Sequence, residues 1–274
     1  MVLPQRELKE LLTRNTVNAE SLGLLWEVDS EKIYGLVVSG GEAIACWNYL
    51  RQLTDETGYY PLLLGGDDEV DFHRQFVDDY TKGLRGEGFP ISINEIIERG
   101  SSLDSDGWLG DRAQQMYEEQ CDEVLDDEPL EALTDSILGQ WQDDVLPNHN
   151  FRILHDYLSR KPFKTVAIAL IPTQICWHVP AYLKFGNWND CPAPEEHVCL
   201  MKRWHERYGA EVVGITEDTV EMRVANPPLN RNDALALAKE QYFYCYDIVE
   251  QGTQTLSILA ATLLQGSVWF FWWD

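Results

Sequence analysis

The sequence predicts an α/β fold, with α+β as the alternative: a mixed sheet with helices on both faces and an acidic helical insertion. Three observations carry that expectation. "KIYGLVVSG" and "YYPLLLGG" are apolar, strand-like runs flanking the helix-spaced "GEAIACWNYLRQLTDETG", a strand–helix–strand order. "AEVVGIT" and "TVEMRVA" alternate around a short "EDT" link and predict a hairpin. The chain stops on "SVWFFWWD", whose length and β-forming residues predict a last strand.

The elements follow in order. "RELKELLTR" has the spacing of a short amphipathic helix. In the next helix Ile44, Trp47, Leu50 and Leu53 share a face, and Gly58 fits its C-terminal stop. Its flanking strands form a β-α-β unit, which suggests parallel pairing. The glycine pairs after those strands lack the spacing of a phosphate loop, and no cofactor is expected. From Asp67 to about Pro147 the stretches 68–82, 91–98, 108–125 and 128–144 are expected to be helical. Trp108, Met116, Leu125, Leu130, Leu133, Ile137 and Trp141 provide their apolar faces. "KPFKTVAIALIPT" resumes the strand pattern, and "PAYLKFGNWNDCP" suggests a short strand and a polar loop. "PAPEEHVCLMKRWHERYG" has prolines and acids at its start, bases in its last turn and glycine after it, the signature of a helix. "NRNDALALAKEQYFYCYDIV" and "TQTLSILAATLLQ" are two more.

At strand periodicity Val268, Phe270 and Trp272 share one face, and Trp269, Phe271 and Trp273 the other. Two apolar faces predict an interior strand covered by helices on both sides. Asp274 would set a side-chain carboxylate beside the α-carboxylate, as a salt bridge or hydrogen-bond clamp. The expected organisation is an N-terminal β-α-β part over 1–66, an acidic helical insertion over 67–150 and a C-terminal α/β region over 151–274.

Forty-six acidic residues face 21 Lys plus Arg, a formal charge of −25. That field repels nucleic acid and anionic lipid and favours a basic protein partner. Fourteen of the acids lie between Asp104 and Asp144, against the single base Arg112. The N-terminus lacks the apolar run of a signal peptide, no stretch of eighteen apolar residues occurs, and the six cysteines are scattered. A cytoplasmic protein with reduced thiols is expected.

"NWNDCPAPEEH", "RWHERYGAEVVGIT", "DALALAKEQYFYCYDIVEQG" and "WFFWWD", in that order, closely resemble the bacterial domain-of-unknown-function family 4253. The resemblance is specific over about 180–274. "GGEAIACWNYLRQLTDETGYYPLLLGG" resembles the family's beginning more loosely, over 30–66. It implies an α/β architecture and no activity. The association of members with toxin–immunity neighbourhoods adds an immunity-type role to the expectations.

Candidate site residues cluster around the loop Asn187–Pro192. Trp188 and Asn189 are binding candidates, and a capped turn with Trp188 packed beneath it is the structural alternative. Asp190, Cys191, His205 and Asp247 are catalytic candidates, because a thiol, an imidazole and an orienting carboxylate are the parts of a nucleophilic site. His197 is an equally good partner for Cys191 by residue type. Cys191, His205 and Cys245 are candidate metal ligands, although their spacing fits no familiar finger. Asp122, Glu123, Asp126, Asp127, Glu128 and Asp274 are candidates for binding a basic partner. The expected function is therefore a non-catalytic acidic interaction module, most concretely an immunity-type inhibitor of a basic toxin or effector. The alternative is a hydrolase-like enzyme, Cys/His- or metal-dependent, with a pocket around Asp190, Cys191, His205 and Asp247.

Overall fold

A computed structural model describes residues 2–84, 91–120, 134–156 and 159–274. Its strands are β1 (Gly23–Val28), β2 (Glu31–Ser39), β3 (Tyr60–Gly65), β4 (Thr165–Ile171), β5 (Ala210–Ile215), β6 (Thr219–Val224) and β7 (Val268–Trp272). They form one seven-stranded mixed sheet, in the order β1-β2-β4-β3-β5-β6-β7. The helices are α1 (Gln5–Arg14), α2 (Ala43–Gln52), α3 (Thr54–Thr57), α4 (Asp67–Thr81), α5 (Ile93–Ser102), α6 (Ser105–Gln120), α7 (Val179–Leu183), α8 (Pro194–Tyr208), α9 (Arg231–Tyr244) and α10 (Leu256–Leu263).

The helices cover both faces of the sheet, as the α/β pattern requires. Cross-strand neighbours share a face, so Glu211, Arg223 and Val268 lie on one side and Val212, Met222 and Trp269 on the other. On the first side Arg223 lies over the ring of Trp47 from α2. On the second, Trp204 and Tyr208 of α8 pack against Trp269.

Strand pairing departs from the sequence-based expectation. β4 is antiparallel to both β2 and β3 and lies between them, so β2 and β3 point the same way without touching. The expected parallel pairing of the β-α-β unit is thus corrected. All of β4 after Thr165 is buried, and its unbroken apolar run suits a position covered on both faces. The parallel contact in the sheet is β3 with β5, at Leu63 and Gly214.

β1 had no clear period-2 signal. It forms a hairpin with β2 through Asp29 and Ser30, whose φ values of 49° and 68° fit a two-residue type I′ turn. Two further segments differ from expectation. "VPAYL" is the short helix α7 rather than a strand. Residues 137–144, expected to be helical, are irregular. Their backbone serves α10 instead: Leu256 N donates to Ile137 O and Ser257 N to Leu138 O, both at 2.9 Å, at the end where a helix leaves its N–H groups unpaired.

β7 separates its aromatic residues as its periodicity predicts. Trp204 stacks on Phe271 at 5.4 Å, and Tyr244 meets Phe271 and Trp273 edge-on. On the other face Arg152 lies 4.6 Å over Phe270, and Trp272 Nε1 donates to Asp218. The expected interior position is nevertheless corrected, because among the described residues β7 is an edge strand paired with β6 alone. Apolar side chains above and below a strand do not report whether its backbone has a neighbour on each side. Here side chains and a loop cover the free edge. Val268 N donates to Asn148 O, Asn148 Nδ2 donates to Val268 O, both at 3.1 Å, and Cys245 Sγ donates to Trp272 O at 3.0 Å.

Glu221 of β6 is fully buried, and its two carboxylate oxygens accept from Arg152 N at 2.7 Å and Ile153 N at 2.9 Å. It thereby fastens the connection before β4 to the sheet. Among the described residues no helix is long and apolar enough to cross a membrane.

Candidate functional site

The loop Asn187–Pro192 joins α7 to α8 at the corner where β7 ends. Asn187 and Asn189 have positive φ, 71° and 45°, a conformation asparagine tolerates better than most residues. Cys191 N donates to Trp188 O at 2.9 Å, closing the turn. Trp188 packs edge-on against Phe185 at 4.8 Å and against Phe76 of α4 at 5.5 Å, as the packed-turn alternative expected. Gly186, just before the loop, has a φ of 116°, and a Cβ there would lie 2.0 Å from Pro192 O.

The side chains of Asn189 and Asp190 in this loop already have protein partners. Asp190 accepts from Arg112 at 3.0 Å and from Tyr246 Oη at 2.9 Å. Burial pushes its carboxyl up, but those two donors and the Arg112 charge outweigh it and hold Asp190 below the usual range. Asn189 Nδ2 donates to Asp274 O at 2.7 Å, and Asp274 N donates to Asp247 Oδ2 at 3.1 Å. Gln251 holds the other oxygen of Asp247 at 2.8 Å. Asp274 is therefore clamped by hydrogen bonds through its backbone, while its side chain is exposed.

Cys191 lies 3.5 Å from His197 Nε2, and Tyr244 Oη lies 2.7 Å from His197 Nδ1. The three form a buried chain of the kind that the candidate Cys–His pair anticipated. Its electrostatics favour neutral groups. Burial lowers the His197 imidazole to about 3, and burial and the nearby Cys245 raise the Cys191 thiol well above its ordinary value. A neutral thiol beside a neutral imidazole is a poor nucleophile and a good packing unit.

His205 is elsewhere. Its Nδ1 lies 3.4 Å from Cys176 Sγ and 3.0 Å from Ala210 O, and its ring packs on Trp177 at 4.7 Å. Sequence reasoning passed over Cys176, which sits after β4 with no motif to mark it. Burial raises its thiol to about 12. The structure thus brings Asp190, Cys191, Cys245 and Asp247 towards one corner and leaves His205 outside it. Among the described residues no three His, Cys, Asp or Glu side chains gather as metal ligands. The binding candidates Asp122, Glu123, Asp126, Asp127 and Glu128 lie outside the described residues.

Two clefts lie away from the loop. One of 220 Å³ is lined by Ser101, Ser105, Cys199, Lys202, Arg203 and Arg207, between α5, α6 and α8. Its arginines already serve Glu240 and Asp106. The other, of 500 Å³, runs between β1 and α4.

Buried ionisable groups give a testable pH dependence. His197 has a native value of about 3 against 6.5 unfolded. The native state binds fewer protons between those values, so this contribution to stability is lost as pH falls through them. Glu221 acts oppositely. Burial outweighs its two N–H donors and lifts it from 4.5 to about 7, so its contribution grows as pH falls from 7 towards 4.5. Urea unfolding of the wild type and Glu221→Gln should show the wild type gaining on the variant between pH 8 and pH 5. A difference that stays constant over that range would refute the assignment.

Residues 167–274 match the family model described as Domain of unknown function (DUF4253). That segment belongs to the DUF4253 family. No curated protein and no solved structure is significantly similar to the chain. The DUF4253 segment covers β5 to β7 and nearly all of β4, but β3 stands between β4 and β5. Its strands therefore become one sheet only with Tyr60–Gly65 in place.

Proposed function

We propose that this protein is a non-catalytic acidic interaction module, in its most concrete form an immunity-type inhibitor of a basic toxin or effector. One observation carries the reading. Asp104, Asp106, Asp111, Glu118, Glu119, Asp135, Asp143 and Asp144, the eight described acids between Asp104 and Asp144, are all solvent-exposed. Among the described residues only Asp106 and Asp143 of these form ion pairs, with Arg203 and Arg231. Much of the positive charge is used within the fold. Arg51 and Arg223 hold Glu211, Arg203 and Arg207 hold Glu240, Arg112 holds Asp190, and Lys184 holds Asp29. A formal charge of −25 then steers cationic proteins towards the surface and repels nucleic acid.

The test is affinity capture from the native cell at physiological salt. The wild type is compared with the variant Asp111→Asn, Glu118→Gln, Glu119→Gln, Asp144→Asn. A basic protein should be retained by the wild type and reduced about tenfold by the variant. Equal retention by both would refute electrostatic recognition.

A further inference from the structure

We propose that the free edge of β1, with the groove between β1 and α4, binds an extended basic segment of a partner chain by strand addition. This rests on the acidic-module reading and gives it a site.

The sheet's two edges are finished differently. On β7 the described outward groups at Val268 and Trp272 are engaged by Asn148 and Cys245. On β1, which among the described residues pairs with β2 alone, the described cover is a single hydrogen bond, from exposed Arg74 Nε to Leu25 O at 3.0 Å. An edge covered this lightly is a template for another strand.

The groove beside that edge has chemistry to match. Trp26 and Val77 form its floor, and Glu27, Asp71 and Asp78 are exposed along it. Leu24, 51% exposed on the same strand, offers apolar contact to an alternate side chain. Trp26 is only 5% exposed, yet its indole N–H has no hydrogen-bond partner among the described residues.

Arg74 marks what the occupant should carry. Its guanidinium donates to Leu25 O and pairs with Asp71 at 2.6 Å. An incoming strand would supply the same pair of functions, a backbone N–H for Leu25 O and a cationic side chain for Asp71. The Asp71–Arg74 pair is exposed, as is Asp78 with Lys82, and such pairs exchange at little cost. Glu27 has no ion-pair partner among the described residues and adds an uncompensated charge.

The probe is the acetylated, amidated hexapeptide (Lys-Val)3, with (Glu-Val)3 as its counterpart. Calorimetry should detect binding of the basic peptide alone, and hydrogen exchange should show new protection at 23–28 but not at 268–272. The double variant Glu27→Gln, Asp78→Asn should weaken binding about tenfold. The distant pair Glu206→Gln, Asp233→Asn, with the same change in net charge, should alter it less than about twofold. Arg74→Ala should tighten binding by about threefold or more, whereas Lys9→Ala should leave it unchanged. All these positions are exposed, so the variants retain the fold. Binding without protection of β1, equal weakening by both acid pairs, or no binding of the basic peptide would overturn the site. None of these results would refute the acidic-module reading, which is tested with a native partner and other acids.

Discussion

Replacing Trp204 with alanine is expected to lower the unfolding free energy by about 3–5 kcal/mol. Trp204 is fully buried on α8. Its ring lies parallel to Phe271 at 5.4 Å and meets Tyr244 and Trp269 edge-on at 5.0 and 5.8 Å. It thus joins α8, α9 and the edge strand β7 in one aromatic cluster. The substitution would leave a cavity at that junction, which surrounding rings cannot fill without leaving their rotamers. It would also remove a donor from Glu240, which accepts from Trp204 Nε1 at 3.1 Å while holding Arg203 and Arg207. Trp204→Phe keeps the stacking and should cost less. Urea denaturation measures both. A loss below about 1 kcal/mol for the alanine variant would show that β7 does not depend on this cluster.

Gly186→Ala is expected to cost about 2–4 kcal/mol and to loosen the loop Asn187–Pro192. Two effects combine. The backbone at φ 116° disfavours any side chain, and the new Cβ would meet Pro192 O at 2.0 Å and His197 Nε2 at 3.0 Å. The first of these atoms is backbone, so relief requires the chain itself to move. The loop would then pull against Asp190 on Tyr246 and Asn189 on Asp274. Faster hydrogen exchange at 187–192 and faster alkylation of Cys191, buried in the wild type, are the expected signs. Gly110→Ala is the control. Nothing lies within 4 Å of its Cβ position on α6, and the exchange should be neutral or slightly stabilising. A wild-type rate of Cys191 alkylation in Gly186→Ala would show that the loop tolerates the strain.

Much of the candidate site was legible as residue types, and little as partnerships. "NWNDCP" before a proline-initiated helix marked a turn, and the turn lies where expected. Cys191 and His197 are six residues apart, and the first turn of α8 brings them together. His205 sits two turns further along the same helix, so its partner is Cys176 at the far end of another connection. Spacing along one helix could have favoured His197 over His205. The pairing of His205 with Cys176, across 29 residues, left no trace in local periodicity.

The sequence by itself determined what depends on a few adjacent residues. Acids at the start of α8 and Gly209 at its end mark that helix through the helix dipole and the left-handed C-terminal cap. Alternation divided the aromatic residues of β7 between two faces, and the charge of −25 is set by composition alone. Tertiary structure decided which strands became neighbours. β4 entered between β2 and β3, β3 completed the DUF4253 segment's sheet, and β7 became an edge closed by Asn148 and Cys245. The physical reason is that side-chain alternation records which faces are buried, whereas strand order follows from backbone hydrogen bonds between residues far apart in the chain. Tyr34 with Leu170 and Leu63 with Gly214 are such pairs, formed only when the whole core closes around them.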